Sequence, residues 1–340
     1  MPYHLTETPI GTIIKPIYTK RRTVMPALIT VITVLAVFTA VSYAVYRKAF
    51  YNRNIKDVTH DVLKGPDYDP YRDRMTALIN DAVKIPFSGV SIVSYDGLRL
   101  YGRIYLTSRG APFHIQFNGY KGNGIRDFSG GLQLALKTGG NVLLVDQRAH
   151  GGSDGHTITF GIRERRDVIS WIDYINKTYG AETDIYIEGV SMGAASVLMA
   201  SELPLPSNVR GIIADCPYSS PFAIVSRTAD GMLRVRYVSY PFIILGSFIF
   251  GRFRIFSSSA VKAVKKSPVP ILIIHGKSDS FVPVEMSREI RDSAPDIVTL
   301  TEIDGAPHGL SYLEDTEKYE KAFRSFIENT IGGGCYDKRS

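Results

Sequence analysis

The stretch Asp184-Ile-Tyr-Ile-Glu-Gly-Val-Ser-Met-Gly-Ala-Ala-Ser-Val-Leu-Met-Ala200 decides the fold. Its first five residues have the β-branched and aromatic content of a short buried strand. Residues from Ala194 to Leu203 are rich in Ala, Leu and Met, the content of a helix. Between them Gly189-Val190-Ser191-Met192-Gly193 fits the pattern G-x-S-x-G, in which a serine sits on a sharp strand-to-helix turn. The flanking glycines let the backbone turn tightly and let a neighbouring helix approach. The pentapeptide alone is a weak signal, because Gly and Ser are common; the strand and helix around it give it weight.

Working outward, the same alternation recurs on both sides. Strands are predicted at Phe113 to Phe117, Asn141 to Asp146, Gly211 to Asp215, Ile271 to His275 and Val298 to Ile303. Helices are predicted at Arg126 to Lys137, Ile162 to Tyr179 and Glu317 to Thr330. Ahead of them, Val90 to Tyr95 and Leu98 to Leu106 flank Asp96-Gly97, a hairpin signal. A hairpin followed by repeated β-α units implies an α/β fold with a mostly parallel sheet covered on both faces.

The ends of the chain read differently. Residues 1–23 form a basic tail ending in Lys20-Arg21-Arg22. Residues 24–46 carry no charge, and a run of that length suits a transmembrane helix. Tyr43 and Tyr46 stand where interfacial aromatics anchor a span, and Arg47-Lys48 closes it. A cleavable signal peptide is the rival, with Ser42-Tyr43-Ala44 as a small-x-small site. Cations balance across the run, so the expected orientation, tail inside the cytoplasm and the rest outside, rests on the short tail alone. Residues 47–85 read as a linker with one amphipathic helix at Asp73 to Lys84, and residues 333–340 as a second tail. Because the sheet starts only after Pro86, the apolar run is expected to lie outside its core, and a chain beginning near Asn52 to fold and work without it.

The composition narrows the functions. Of 340 residues 44% are hydrophobic, enough for a large core. Cys216 and Cys335 are the only cysteines, which excludes a disulfide framework, and no Cys/His cluster has zinc spacing, so no metal is expected. A net charge of +7 does not argue for a nucleic-acid partner, and no phosphate-cradling G-x-x-x-x-G-K-[ST] is present. The charge is concentrated. Residues 217–268 are too long for a connection and read as an inserted cap. Arg227, Arg234, Arg236, Arg252, Arg254, Lys262, Lys265 and Lys266 there face a single acid, Asp230. Tyr237 to Gly251 within it is uncharged and fits a cap or interfacial helix.

A serine hydroxyl needs a base to take its proton, and the base needs an acid to fix its tautomer. Asp279 follows the strand ending at His275, and His308 follows the strand ending near Ile303. In a parallel sheet the carboxyl ends of strands share one edge, so Ser191, Asp279 and His308 are expected to converge. Their order, Ser then Asp then His, is that of α/β-hydrolases. Asp215, also past a strand, is the rival for the acid. An oxyanion needs two backbone N–H donors. Met192, after the serine, is expected to supply one, and the loop Asn118-Gly-Tyr-Lys-Gly-Asn-Gly124 the other.

On these motifs the chain resembles an α/β-hydrolase over Pro86 to Gly332. Within that superfamily it resembles the membrane-anchored Bem46-like and serine-aminopeptidase-like group. The match is carried by Gly189 to Gly193, Asp146-Gln-Arg-Ala-His-Gly-Gly-Ser153, Gly276-Lys-Ser-Asp-Ser-Phe-Val-Pro283 and Gly305-Ala-Pro-His308. The resemblance implies an eight-stranded sheet with an antiparallel first hairpin, the triad Ser191, Asp279 and His308, and Tyr120 as second oxyanion donor. Asn118-Gly119 stands where the family has His-Gly, and Ala149 where it usually has Gly. His150, in that scaffold segment, reads as structural. The expected activity is hydrolysis of carboxylic esters, acyl lipids among them, through an acyl-enzyme without cofactor. A peptidase or thioesterase would use the same machinery. A non-catalytic binding module on a hydrolase fold is the alternative of another class.

Overall fold

A computed structural model describes residues 15–53 and 61–331. The first fourteen residues of the basic tail, part of the linker (54–60) and the tail at 333–340 lie outside the described residues.

Eight strands form one sheet: β1 (Ser88–Val93), β2 (Arg99–Tyr105), β3 (Phe113–Phe117), β4 (Asn141–Asp146), β5 (Ile185–Val190), β6 (Val209–Asp215), β7 (Ile271–Gly276) and β8 (Val298–Ile303). Their order is β1-β2-β4-β3-β5-β6-β7-β8. β2 runs antiparallel to both β1 and β4; every other pairing is parallel. Every residue of β3, β4 and β7 is buried, as expected of strands covered on both faces. At the edge, β1 exposes alternate residues. Strand order reverses at β3, so the loops after β3 and β5 open on either side of a topological switch point.

Twelve α-helical segments are described: α1 (Lys15–Ala49), α2 (Arg72–Lys84), α3 (Gly124–Asp127), α4 (Ser129–Lys137), α5 (Glu164–Tyr179), α6 (Met192–Ala200), α7 (Pro221–Leu233), α8 (Tyr240–Leu245), α9 (Ala260–Ala263), α10 (Val284–Ser293), α11 (Ser311–Glu314) and α12 (Thr316–Ile331). On one face Trp171 and Ile172 of α5, Val197 of α6 and Ile290 of α10 pack on Ile115, Ile187 and Ile273. On the other, Ile79 of α2 and Leu132 of α4 pack on Val142 and Leu144, and Phe323 of α12 on Ile213. The helix expected over Arg126 to Lys137 is broken at Phe128 into α3 and α4. α10 has no counterpart in the sequence reading, because its buried stripe of Val284, Ser287 and Ile290 is thin among charges.

α1 departs from expectation. From Met25 to Val41 its large apolar side chains are exposed except the half-buried Phe38, but Ser42, Tyr46 and Phe50 are buried at successive i, i+4 positions. Phe50 meets Phe160 and Phe253 edge-on at 5.8 and 5.2 Å between ring centroids. The Tyr46 hydroxyl lies 2.9 Å from Thr157 Oγ1, and Asn52 donates to the Ala149 carbonyl at 2.7 Å. The expectation that the apolar run stands clear of the core is therefore corrected. Tyr46, the last residue of that run, and Phe50 just beyond it belong to a core cluster with Met192 and Ile243, with Val45 and Ala49 packed against it. Uncharged residues suit lipid and protein interior equally, so hydropathy could not separate the two.

Between β6 and β7 the chain leaves the sheet. α7 is followed by α8, which runs into a π-helical turn at Gly246–Phe250, and then by α9. α8 and the π turn lie along α1. Phe38 and Phe242 meet at a tilt with ring centroids 4.5 Å apart, and Tyr43 meets Phe250 at 5.0 Å. At the closest approach a Cβ on Gly246 would stand 2.7 Å from the Ser42 carbonyl oxygen, so a small residue is required there.

Candidate active site

Ser191 follows β5 directly and precedes the first turn of α6, with φ 54° and ψ −110°. That conformation is costly for a residue with a side chain and holds the hydroxyl out of the turn. The elbow depends on both of its glycines. A Cβ on Gly189 would lie 2.2 Å from the Gly193 carbonyl carbon, and one on Gly193 only 1.9 Å from the Phe117 oxygen. Ser191 N–H donates to the Asp215 carbonyl at 2.8 Å, tying the elbow to the end of β6.

The three residues expected to converge do so. Ser191 Oγ lies 2.9 Å from His308 Nε2, and His308 Nδ1 lies 2.6 Å from Asp279 Oδ2. With the Nδ1 proton donated to the carboxylate, Nε2 is left as acceptor for the serine proton. Phe281 covers His308 edge-on at 5.1 Å. Asp279 is buried, and its Oδ1 accepts the N–H groups of Phe281 and Val282 at 3.0 and 2.7 Å. Burial alone would raise its pKa. The bonds from His275 and His308 outweigh that and hold it at about 2, so the carboxylate stays charged at neutral pH.

His275 was not singled out in the sequence. It is fully buried at the end of β7, with Nε2 3.1 Å from Asp279 Oδ2 and Nδ1 2.6 Å from Ser287 Oγ. Only its place four residues before Asp279, at the end of the same strand, could have marked it. Asp215 is buried but forms no hydrogen bond to His308; Ser311 Oγ lies 3.4 Å from its Oδ1. Burial raises its pKa to about 6 despite the nearby histidines. Cys216, next along, has its sulfur within 4.8 Å of ligand atoms of Asp279 and His308. Those three do not make a good metal site as they stand. Both His308 nitrogens are engaged, and burial keeps the thiol protonated.

The loop after β3 is held from beneath. Asn118 Oδ1 accepts the Gln147 N–H at 3.1 Å, and Gln147 Nε2 donates back to the Asn118 carbonyl. Gly119 N–H donates to Asp127 Oδ2 at 2.9 Å. Lys121 N–H donates to His150 Nε2 at 2.9 Å, and His150 Nδ1 lies 2.8 Å from the Arg148 carbonyl. This arrangement accepts only neutral His150, and burial lowers its pKa. Thus His150 supports the loop rather than reaching the serine. Ala149, in the place the family usually gives to glycine, has φ 62°. Tyr120 turns its hydroxyl away, to the carbonyl of Ala49 at 2.9 Å.

Ser191, Tyr120 and Phe281 border two cavities. One of about 260 Å³ runs past Tyr68, Arg126 and Leu310. The other, of about 500 Å³, runs between α1, α7 and α8, past Val45, Ala49, Tyr218, Met232 and Ile243. The Tyr218 hydroxyl is buried without a hydrogen-bond partner among the described residues. A wider groove of about 1,050 Å³, with Arg227, Arg234 and Arg236 on its walls, adjoins the second cavity at Thr228, Met232 and Phe281.

The prolyl oligopeptidase family profile matches residues 126–334, which include Ser191, Asp279 and His308. Among curated proteins, the chain is 28% identical over 203 residues to the uncharacterized protein YqkD of Bacillus subtilis, covering 58% of this chain and 65% of that protein. Among solved structures it resembles the Pyrococcus furiosus esterase Pf2001, at 23% identity and a TM-score of 0.58, over 74% of this chain and 96% of that one. It also resembles Est1E from Butyrivibrio proteoclasticus, solved with ferulic acid bound, at 22% identity and a TM-score of 0.57, over 72% of this chain and 100% of that one.

Proposed function

The chain belongs to the prolyl oligopeptidase family and has the α/β-hydrolase fold, and from that premise we propose that it is a membrane-anchored serine hydrolase that cleaves carboxylic esters. The observation that carries this is the relay Ser191–His308–Asp279, in which each hydrogen bond fixes the next.

His308 Nε2 takes the hydroxyl proton as Ser191 Oγ attacks the ester carbonyl carbon. Asp279 stabilises the imidazolium through Nδ1–H. The tetrahedral oxyanion is held by the backbone N–H groups of Met192 and Tyr120. His308 returns its proton to the departing alkoxide, which leaves an acyl group on Ser191. Water, deprotonated by His308, then releases the carboxylic acid and restores the serine. Every proton that leaves the nucleophile comes back through Nε2. The apolar cavity beside Ser191 favours an acyl group over a peptide, and the likeness to Pf2001, described as an esterase, points the same way. A peptidase would run the same steps with an amine leaving; the family's name favours that second reading.

α1 supplies the anchor in this proposal, with the hydrolase outside the cytoplasm. Its packing supports retention over removal. Cleavage after Ala44 would strip Phe38 from Phe242 and Ser42 from Gly246. A fluorophosphonate probe should label the wild-type chain and not Ser191→Ala, and p-nitrophenyl acetate should be cleaved faster than an aminoacyl p-nitroanilide. Undiminished labelling and turnover in Ser191→Ala would end the proposal; faster anilide cleavage would turn it to the peptidase.

A further inference from the structure

One wall of the cavity beside Ser191 comes from α1. Val45, Lys48 and Ala49, from the last turn and a half of α1, line it opposite Ile224 and Val225 of α7 and Ile243 of α8. Ser191 and Met192 close its inner end. Met232 and Leu233 of α7, both more than half exposed, stand at the other side with exposed Lys48. The mouth therefore opens beside the anchor helix, and its volume of about 500 Å³ is in the range of ligand sites, about 300–1,000 Å³.

The depth of that mouth follows from α1. If Arg47 and Lys48 mark the bilayer face, Phe38 lies ten residues inside it, roughly 15 Å along the helix. Phe38 packs on Phe242, so the N-terminal part of α8 is carried below the face as well. The outer side of α8 and the π turn is apolar and uncovered: Ile244, Phe248 and Ile249 are exposed. That surface is continuous with the exposed side of α1, whose residues Leu28 to Val41 are those a span would give to lipid. The Ser42–Gly246 approach is the small-residue crossing by which helices pack within membranes.

We infer that the substrate is a long-chain acyl ester resident in the bilayer, whose chain slides sideways between α1 and α7–α8 to bring its carbonyl to Ser191, with the anchor helix forming one wall of the acyl site. This rests on the proposal that Ser191 is the nucleophile. It adds the substrate class and the route. The ester carbonyl stays near the headgroup level, where Tyr43 and Tyr46 stand. Only the chain enters the cavity, so the step from lipid to protein exchanges one apolar surrounding for another.

The test uses the full chain reconstituted in phosphatidylcholine vesicles, with p-nitrophenyl esters from acetate to palmitate. Val45→Trp on α1 and, separately, Leu233→Trp on α7, an exposed lining residue, narrow the cavity without touching Ser191. The expected result is a loss of at least about tenfold in kcat/KM for palmitate with acetate changed less than about twofold. Equal effects on both esters, or none on either, would overturn the acyl site while leaving the nucleophile assignment intact; activity surviving in Ser191→Ala would instead remove that assignment. A second measurement needs no cavity variant. A long-chain alkyl fluorophosphonate with a terminal diazirine, bound to wild-type Ser191 and irradiated, should cross-link to residues 42–49 or 240–246. Cross-links confined to the opposite cavity, at Tyr68 or Leu310, would overturn the route.

Discussion

The hydroxyl of Tyr120 donates to the carbonyl of Ala49 at 2.9 Å, so the loop proposed to hold the oxyanion is bonded to the last residue of α1. The C-terminal end of α1 is thus part of the site's support, through Tyr120 and through Phe50 packed on Phe160, which in turn stacks on Tyr120 at 5.1 Å.

The first prediction follows from that bond. A chain beginning at Asn52 loses Tyr46 and Phe50 from the core cluster and the acceptor of Tyr120. Burying two aromatic side chains contributes about 3–6 kcal/mol together, so the truncated chain should melt well below the full one. Its kcat/KM on p-nitrophenyl acetate should fall about tenfold or more. Tyr120→Phe in the full chain, which keeps the ring and loses the bond, should cost about 1 kcal/mol of stability. Thermal unfolding in matched detergent checks both. Full stability and activity in the truncated chain would return α1 to the role of a plain tether.

A second prediction separates the two acids. Asp279→Asn should lower kcat by about 10³–10⁴-fold, because an amide cannot stabilise the imidazolium or hold its tautomer. Asp215→Asn should change kcat less than about threefold and should alter stability instead. Burial raises the Asp215 pKa from 3.8 to about 6, so between those values the folded state holds more protons than the unfolded state. Wild-type stability then falls as pH rises through that window, and the penalty is complete above it. The asparagine variant should gain up to about 3 kcal/mol over wild type at pH 8 and nothing at pH 4. Urea midpoints at the two pH values decide it.

Much of this site was legible because the sheet is so fully buried. β3, β4 and β7 have no exposed residue, so their apolar runs stood out; the end of β7 located Asp279, and the end of the less buried edge strand β8 located His308. The glycines at 189 and 193 were legible because nothing larger fits. What escaped was long-range. The docking of Tyr46 and Phe50 on residues over a hundred positions away leaves no local pattern. His275 is marked only by its place four residues before Asp279, and its bond to that residue appears only in three dimensions. The support of the Asn118 loop by Gln147 and His150 belongs to the same kind: the motif was visible, the bonds were not.

A third prediction concerns His150 and acid. Its fold accepts only the neutral ring, and burial lowers its pKa below the unfolded value of about 6.5. As pH falls below that value the unfolded chain takes up the proton first, so this residue's share of stability is lost on acidification. His150→Gln should reduce the drop in urea midpoint between pH 7 and pH 5 relative to wild type. Asp215 contributes in the opposite sense over the same window, but equally in both chains, so the difference between them isolates His150. A drop of the same size in the variant would show that the ring can accept its proton in the folded state.

The last prediction returns to the arginines of the insertion. Arg227, Arg234 and Arg236 line a groove that meets the apolar cavity at Thr228, Met232 and Phe281, and among the described residues no ion pair joins them to an acid. A chain in the cavity would leave an ester's headgroup near that groove, where each cation contributes about 1 kcal/mol toward an anionic lipid. Arg252 and Arg254, grouped with them by sequence, do not line it. Changing Arg227, Arg234 and Arg236 together to Gln should therefore erase a preference for an anionic over a zwitterionic phospholipid of up to about 10²-fold in kcat/KM, and leave p-nitrophenyl acetate unaffected. The wild-type preference should shrink as salt rises, because these side chains are solvent-exposed and screened. Because α1 walls the cavity, the comparison must be made on the full chain in mixed micelles of the two lipids. A preference that survives the triple substitution, or that ignores salt, would place headgroup selection elsewhere in the molecule.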